Sequence, residues 1–206
     1  MVVDTILFGD CRETLKEFDG KARTCVTSPP YYGLRDYGGE ESQIGQEQTP
    51  EKYIQNLVEV FRSVRDVLTD DGTLWVNIGD SYYNYRPGKG QALPKQTVSK
   101  TKQDLPDKCA KRGNKLEGLK EKDLIGIPWM LAFALRADGW YLRQDIIWAK
   151  PNPMPESVKD RCTKSHEYIF LLSKSRRYYY DNEAIKEPVK QDWGTRNRTQ
   201  GKYHNP

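Results

Sequence analysis

Short apolar runs alternate with longer amphipathic segments along the 206 residues of this chain. Apolar runs bounded by turn residues predict buried strands, which lie at residues 5–8, 22–27, 73–78, 141–148 and 167–172. Apolar side chains at helical spacing predict helices at residues 11–18, 50–68 and 128–137. Strands and helices that alternate in this way predict an α/β sheet covered on both faces, in a single domain over residues 1–206.

The middle helix has the clearest predicted boundaries. Thr49 is suited to cap its amino end, because its side-chain oxygen can accept from a free backbone N–H of the first turn. Pro50 and Glu51 suit that turn, which tolerates proline and favours a carboxylate. The Asp-Asp-Gly sequence at residues 70–72 predicts a stop before the next strand.

The strand at residues 22–27 leads into Thr27-Ser28-Pro29-Pro30-Tyr31, which we call the proline loop. Two consecutive prolines fix φ and cannot donate hydrogen bonds, so the strand is expected to end there with its carbonyl groups pointing outward. The Ser28 hydroxyl and the Pro29 carbonyl could accept the protons of an exocyclic amine, while Tyr31 stacks on the base that carries it. The alternative is a turn that only ends the strand.

With its neighbours, the proline loop resembles motif IV of the amino-group DNA methyltransferases, which methylate N6 of adenine or N4 of cytosine using S-adenosylmethionine. The resemblance covers most of the chain outside residues 82–122, in the motif order of the permuted, or beta, class. The other stretches that carry it are ILFGD at residues 6–10, LWVNIGD at 74–80, GWY at 139–141, DIIWAKPN at 145–152 and KSHEYIF at 164–170.

This resemblance implies a Rossmann-like methyltransferase sheet of seven strands with the spatial order 3-2-1-4-5-7-6. Residues 1–206 would supply strands 3 to 7, while strands 1 and 2 and the family's glycine-rich Phe-x-Gly-x-Gly cofactor turn are missing from them. The sheet is therefore expected to be incomplete, with a gap beside residues 5–8. Three alternatives remain: the gene product continues beyond Pro206, a second chain supplies the missing half, or the sequence is a degenerate copy.

The resemblance also assigns roles to single residues. The expected catalytic residues are Ser28, Pro29, Pro30 and Tyr31. The expected contacts with S-adenosylmethionine are Asp10, Thr27, Ser28 and Asp80. Asp10 and Asp80 each follow a predicted strand, where α/β sheets bind ligands, but a carboxylate there is equally suited to capping a helix or ordering a loop.

Positive charge is concentrated in residues 81–123, which contain 11 Lys and Arg against 5 Asp and Glu, while the net charge of the whole chain is +4. This segment is rich in Gly, Pro, Lys and Gln, which predicts either a merely solvated, mobile loop or one that contacts phosphates and orders on DNA. The expected DNA contacts are Lys108, Lys111, Arg112 and Lys115 in this segment, and Tyr32, Lys150 and Asn152 beside the base. Alternatively, Tyr32 packs beneath the loop and residues 150–152 are a plain connection.

Composition excludes several classes of protein. No apolar run approaches the roughly 20 residues of a membrane span, and no signal peptide is visible, so a cytoplasmic location is expected. The four cysteines form no CxxC pair, which indicates neither a metal site nor a disulfide framework. The function that the resemblance implies is site-specific methylation of double-stranded DNA with a flipped target base, in restriction–modification or phage/host DNA protection. The alternatives are a non-catalytic DNA-binding remnant or half-enzyme, and a methyltransferase acting on RNA or protein.

Overall fold

The computed structural model describes residues 6–34, 43–83 and 116–187. Helices and strands alternate within these ranges, as the apolar pattern predicts. In chain order they are α1 (Cys11–Glu17), β1 (Ala22–Thr27), α2 (Pro50–Val67), β2 (Leu68–Ile78), α3 (Ile127–Ala137), β3 (Tyr141–Ala149) and β4 (His166–Ser173). Thr49 caps α2 through a hydrogen bond from the Lys52 backbone N–H, and Pro50 opens the helix, both as predicted.

The four strands form one mixed sheet in the order β1-β2-β4-β3. Strand β1 is parallel to β2, whereas β4 is antiparallel to both β2 and β3. This order equals the 4-5-7-6 portion of the sheet that the resemblance implies, so that portion of the topology is confirmed. Because β4 runs against β1 and β2, its amino end lies at the same edge as their carboxyl ends.

The hydrophobic core lies between one face of the sheet and the helices α2 and α3. Alternate residues of β2 point into it and are fully buried, namely Leu74, Val76 and Ile78. On the opposite face the central strands are covered, since Leu171 is 3% exposed, but the edge strands are open: Val26 is 77% exposed and Trp148 is 52% exposed, and the strand register places all three on that face. In the part of the chain that the structure describes, the prediction of a sheet covered on both faces therefore holds for the centre of this face and fails at its edge strands.

Two local predictions also differ from the structure. Residues 6–8 were expected in a buried strand, but they belong to no strand, and Phe8 is 89% exposed. Their apolar sequence is not enough to make a strand where no described strand pairs with them. The predicted stop at residues 70–72 lies inside β2 as an irregularity, since Ala22 pairs with Leu68 and Thr24 already pairs with Thr73.

A short antiparallel stem closes the ends of the basic segment. Tyr82 forms an isolated bridge with Leu124, and the backbone N–H of Tyr83 donates to the Asp123 carbonyl at 2.8 Å. The Tyr83 hydroxyl also accepts from the backbone N–H of Leu116 at 2.9 Å. Four residues predicted to contact DNA lie between these ends, outside the described residues: Lys108, Lys111, Arg112 and Lys115.

Two features of the described ranges bear on the class of protein. None of the helices there is long and apolar enough to cross a membrane. The same ranges contain no group of three or more His, Cys, Asp or Glu residues that could hold a metal ion.

Candidate active site

The proline loop lies at the edge of the sheet where β1 and β2 end and β4 begins. The fold therefore brings together residues that are far apart in sequence: the proline loop, residues 77–80 at the end of β2, and residues 166–167 at the start of β4. Open α/β sheets bind their ligands outside the carboxyl ends of the parallel strands. The predicted catalytic residues are thus placed where this class of fold holds its sites.

The backbone of the proline loop is held in place by a hydrogen bond from α2. Pro29 is buried, and the carbonyl oxygen of Pro30 accepts a 2.7 Å hydrogen bond from the Tyr53 hydroxyl. Tyr53 is completely buried, and its pKa is raised, chiefly by burial and further by the nearby Glu47 carboxylate. Tyr53 therefore stays protonated and holds the loop backbone, while the side chain of Ser28 remains exposed.

Tyr31 is half-buried rather than exposed, which differs from the expectation of an open aromatic platform. Its hydroxyl lies 3.0 Å from Asn77 Oδ1 and 3.0 Å from Glu167 Oε2, and it accepts from the Ser28 hydroxyl at 3.5 Å. Burial is the main cause of the raised Tyr31 pKa, and the charge of Glu167 raises it further. The hydroxyl is thus protonated, and acceptor oxygens of β2 and β4 both lie within hydrogen-bond distance of it.

Gly79 makes room for the ring of Tyr31. A Cβ atom on Gly79 would lie 2.7 Å from Cε2 of the ring, well inside van der Waals contact. Any side chain at position 79 would therefore push the ring away or force the loop to move. The glycine that follows β2 is explained by this close approach.

Glu167 is held by a cation on its other oxygen. Its Oε1 accepts from Nζ of Lys150, and the two side chains form an ion pair. Burial raises the pKa of the Glu167 carboxyl, but the hydrogen bonds from Lys150 and Tyr31 outweigh that effect, so its pKa lies below the ordinary value. Lys150, which was expected to contact DNA beside the base, is therefore engaged with a carboxylate at the edge of the site.

Both candidate cofactor aspartates cap helices. Asp80 accepts from the backbone N–H groups of Gly126 and Ile127 at 3.0 Å, and so caps α3 from a different part of the chain. Asp10 caps α1 by accepting from the Arg12 backbone N–H, and its pKa falls to about 2, chiefly through the hydrogen bond from the Arg12 side chain. These contacts agree with helix capping, the alternative role that the sequence allowed for both residues.

Three further residues had a predicted role in the site, namely Thr27, Tyr32 and Asn152. Thr27 is the last, half-buried residue of β1. Tyr32 packs its ring on Tyr53 with centroids 5.4 Å apart, and burial is the main cause that raises its pKa to about 12. It thus packs beneath the loop, as the alternative for Tyr32 proposed. Asn152 is exposed, and within the described ranges no hydrogen bond joins it to the proline loop.

Four residues to which the sequence assigned no role contact the proline loop, namely Asn77, Gly79, Glu167 and Tyr53. A signal was present for two of them, because Asn77 and Glu167 are polar residues within otherwise apolar strands. A polar side chain in such a strand is expected to have a partner. Which partner it has could not be deduced without the fold.

The arrangement can hold a planar group that carries an amine. Ser28 offers an exposed hydroxyl oxygen as an acceptor, and Tyr31 offers a half-buried ring three residues further on. The raised pKa values of Tyr31 and Tyr53 keep both hydroxyls protonated at neutral pH, so these two side chains act as neutral polar groups, beside the charged pair of Glu167 and Lys150. Such groups can orient a weak nucleophile and stabilise charge that develops on it.

Comparison with known proteins gives one family. A sequence model of the family N6_N4_Mtase, described as DNA methylase, matches residues 22–205. The chain is 55% identical over 190 residues to the Type II methyltransferase M.SmaI of Serratia marcescens, and 53% identical over 195 residues to M.Cfr9I of Citrobacter freundii. These matches cover 89% and 94% of this chain but 60% and 62% of the relatives, so the chain spans about three fifths of their length.

Solved structures share the fold. PvuII DNA methyltransferase, which is cytosine-N4-specific, matches with a TM-score of 0.54 at 16% identity, over 84% of this chain and 50% of that one. The modification methylase TTHA0409 of Thermus thermophilus, solved with S-adenosyl-L-methionine, matches with a TM-score of 0.52 at 21% identity, over 85% of this chain and 55% of that one. At these identities the likeness concerns the α/β architecture alone.

Proposed function

Since this chain belongs to the DNA methylase family, we propose that the protein transfers a methyl group from S-adenosylmethionine to an exocyclic amine, N4 of cytosine or N6 of adenine, in DNA. The observation that carries this proposal is the exposed hydroxyl of Ser28, next to a half-buried Tyr31, where β1 and β2 end. By its likeness to Type II methyltransferases, the protein acts at specific sites in restriction–modification.

The chemistry required of the proline loop is orientation. An exocyclic amine is a poor nucleophile because its lone pair is delocalised into the ring of the base. Ser28 Oγ and the Pro29 carbonyl accept hydrogen bonds from the two amine N–H groups, which favours a pyramidal nitrogen and stabilises its developing positive charge. Bound S-adenosylmethionine would supply an electrophilic methyl group: the bond from nitrogen to this carbon would form as the carbon–sulfur bond breaks, the thioether would leave, and the nitrogen would lose one proton to solvent.

DNA is the proposed partner, with the target base turned out of the duplex. A base inside the stack cannot reach the end of a strand, so it must leave the helix before Tyr31 can stack on it. The basic residues of segment 81–123 neutralise phosphates, and Asn152 and Lys150 border the base. Lys150 would have to exchange Glu167 for a phosphate, or contact both.

The described residues form only the target-base side of a site for S-adenosylmethionine. Asp10 is exposed and engaged with Arg12, and with the proline loop it cannot enclose a ligand of that size. The outer edge of β1 has no partner strand in the described residues, and Val26 beside it is exposed. We propose that strands 1 and 2 of the expected sheet pair at this edge, supplied by residues outside the described ranges or by a second chain.

A complementation assay tests the proposal. These 206 residues alone are expected to bind S-adenosylmethionine weakly or not at all, to leave DNA unmethylated, and to associate through the open edge of β1. Co-expression with the portion of M.SmaI that lies outside the match should restore transfer of labelled methyl groups to unmethylated bacterial DNA. A Ser28→Ala version of the complemented protein is the matched control for the reaction.

The outcomes separate the candidate functions. Label on N4 of cytosine or N6 of adenine supports the proposal and identifies the base. DNA binding without methyl transfer, in the complemented protein as well, would favour a non-catalytic DNA-binding remnant. This is the second candidate function, because the outer edge of β1 has no partner strand in the described residues. Transfer to RNA or protein but not to DNA would contradict the proposed substrate.

A further inference from the structure

A row of polar side chains leads inward from the exposed end of the site. The Ser28 hydroxyl donates to the Tyr31 hydroxyl oxygen at 3.5 Å, and the Tyr31 hydroxyl lies 3.0 Å from Glu167 Oε2. The other oxygen of Glu167 accepts from Lys150 Nζ. The row thus begins at the residue proposed to hold the target amine and ends at a carboxylate whose charge is balanced by a cation.

Counting protons fixes the direction of these hydrogen bonds. Each hydroxyl has one proton to donate, and an ionised carboxylate can only accept. Asn77 Oδ1 also lies 3.0 Å from the Tyr31 hydroxyl, but a charged acceptor forms the stronger bond, so Tyr31 donates to Glu167. The Tyr31 oxygen then accepts the proton of Ser28, and the lone pairs of Ser28 remain for another donor.

We propose that Glu167 is a positioning residue for methyl transfer, which acts through Tyr31 to turn the Ser28 hydroxyl so that its lone pairs face the target amine. This inference rests on the proposed function and adds to it a carboxylate from the start of β4. The amine protons become more acidic as the nitrogen attacks, so an acceptor held in this orientation stabilises the transition state more than the bound substrate.

The two links of the row differ in length. The Ser28–Tyr31 link is 3.5 Å, at the long end of hydrogen-bond distances, whereas the Tyr31–Glu167 link is 3.0 Å. Catalytic hydrogen bonds tighten in the substrate complex, so we expect the outer link to shorten when the amine binds.

A double-mutant cycle tests the inference. Tyr31→Phe, Glu167→Gln and the double variant are made in the complemented protein, and the single-turnover rate of methyl transfer and the affinity for DNA are measured. Glu167→Gln should slow transfer roughly tenfold, the effect of losing a hydrogen bond to a charged group. In the Tyr31→Phe background the same change should slow it by less than about twofold, because the link is already broken. DNA affinity should stay unchanged.

A second measurement and a control keep the inference falsifiable. Urea unfolding of the 206-residue chain measures the same cycle without any reaction, and the two changes should again be non-additive. Glu156→Gln breaks a comparable surface pair with Arg161 and should leave the transfer rate unchanged. Absence of methyl transfer in the unaltered complemented protein would contradict the proposed function, whereas additive effects in the unfolding cycle would overturn the role of Glu167.

Discussion

The hydroxyl of the buried Tyr53 donates a 2.7 Å hydrogen bond to the carbonyl oxygen of Pro30. A residue in the first turns of α2 thereby fixes the backbone of a loop that ends β1. Proline has no N–H to anchor a loop, so an anchor must act through a carbonyl group. The position of the proline loop is in this way set by the packing of α2 rather than by the loop sequence alone.

Tyr53→Phe should loosen the loop without leaving a cavity. The change removes one hydrogen bond and leaves the Pro30 carbonyl without that partner, which should lower the free energy of unfolding by about 1–3 kcal/mol. Urea denaturation provides the measurement. Tyr141→Phe, at a tyrosine that is 45% exposed on β3, is the control and should change stability little. Equal effects of the two substitutions would show that the bond to Pro30 does not hold the loop.

Ser28→Ala should slow methyl transfer in the complemented protein by roughly 10²–10³, the usual effect of losing one preorganised polar contact to a reacting group. The expected loss is in the rate of the chemical step, because the side chain is exposed and its removal should not disturb the core. Single-turnover kinetics measure it. Ser63→Ala on α2, where the hydroxyl donates to the Glu59 carbonyl of the same helix, is the matched control. Full activity of Ser28→Ala would remove this residue from the mechanism.

Two substitutions at Tyr31 should separate its ring from its hydroxyl. Tyr31→Ala removes the stacking surface and should weaken capture of the flipped base by about 1–3 kcal/mol. Tyr31→Phe keeps the ring and should preserve capture while it slows transfer. Binding to DNA with a fluorescent base analogue at the target position gives the affinities. Equal loss of affinity in both variants would contradict the stacking role.

Neutralising Lys108, Lys111, Arg112 and Lys115 with glutamine should flatten the salt dependence of DNA binding. Each phosphate contact contributes about 0.9 to the slope of log affinity against log salt concentration. Affinity measured across a series of salt concentrations gives the slope. Arg176→Gln with Arg177→Gln serves as the control, since both arginines are exposed beyond the far end of β4. An unchanged slope in the fourfold variant would mean that the segment is only a solvated loop.

The stability that Glu167 contributes should depend on pH. Its pKa lies below the ordinary 4.5, because hydrogen bonds from Lys150 and Tyr31 outweigh the effect of burial. A carboxylate whose pKa falls on folding stabilises the protein at pH values above its unfolded-state pKa. This contribution to stability is lost as the pH falls through the folded-state pKa. Glu167→Gln should therefore be less stable than the unaltered chain near pH 7, and acidification should narrow the difference. A constant difference down to about pH 3 would contradict this linkage.

The predictions from sequence succeeded where the signal is local. The start of α2 follows from Thr49 and Pro50, and the proline loop ends its strand for reasons contained in its own residues. The prediction for residues 6–8 was wrong, because burial of an apolar run depends on neighbours that the run does not specify.

The contacts of the site could not be read from the sequence because they are long-range. Tyr31 and Glu167 are 136 positions apart, and Asp80 caps a helix that begins 47 positions later. The local sequence around each of these side chains is compatible with several roles. The partner of Glu167 is set by the fold, because the antiparallel β4 brings this residue to the edge of the sheet where the proline loop lies.

The stem between residues 81–83 and 122–125 has a consequence for how specificity can diverge. Its two sides hydrogen-bond to each other next to Asp80, which in turn fixes the start of α3, and the Tyr83 hydroxyl holds the backbone of Leu116. Because Tyr83 and Leu116 are held close together, we expect that a change in the length of the chain between them leaves the described contacts around Tyr31 unchanged. Such a stem would let the sequence between these two residues vary among relatives while the described residues around Tyr31 keep their positions.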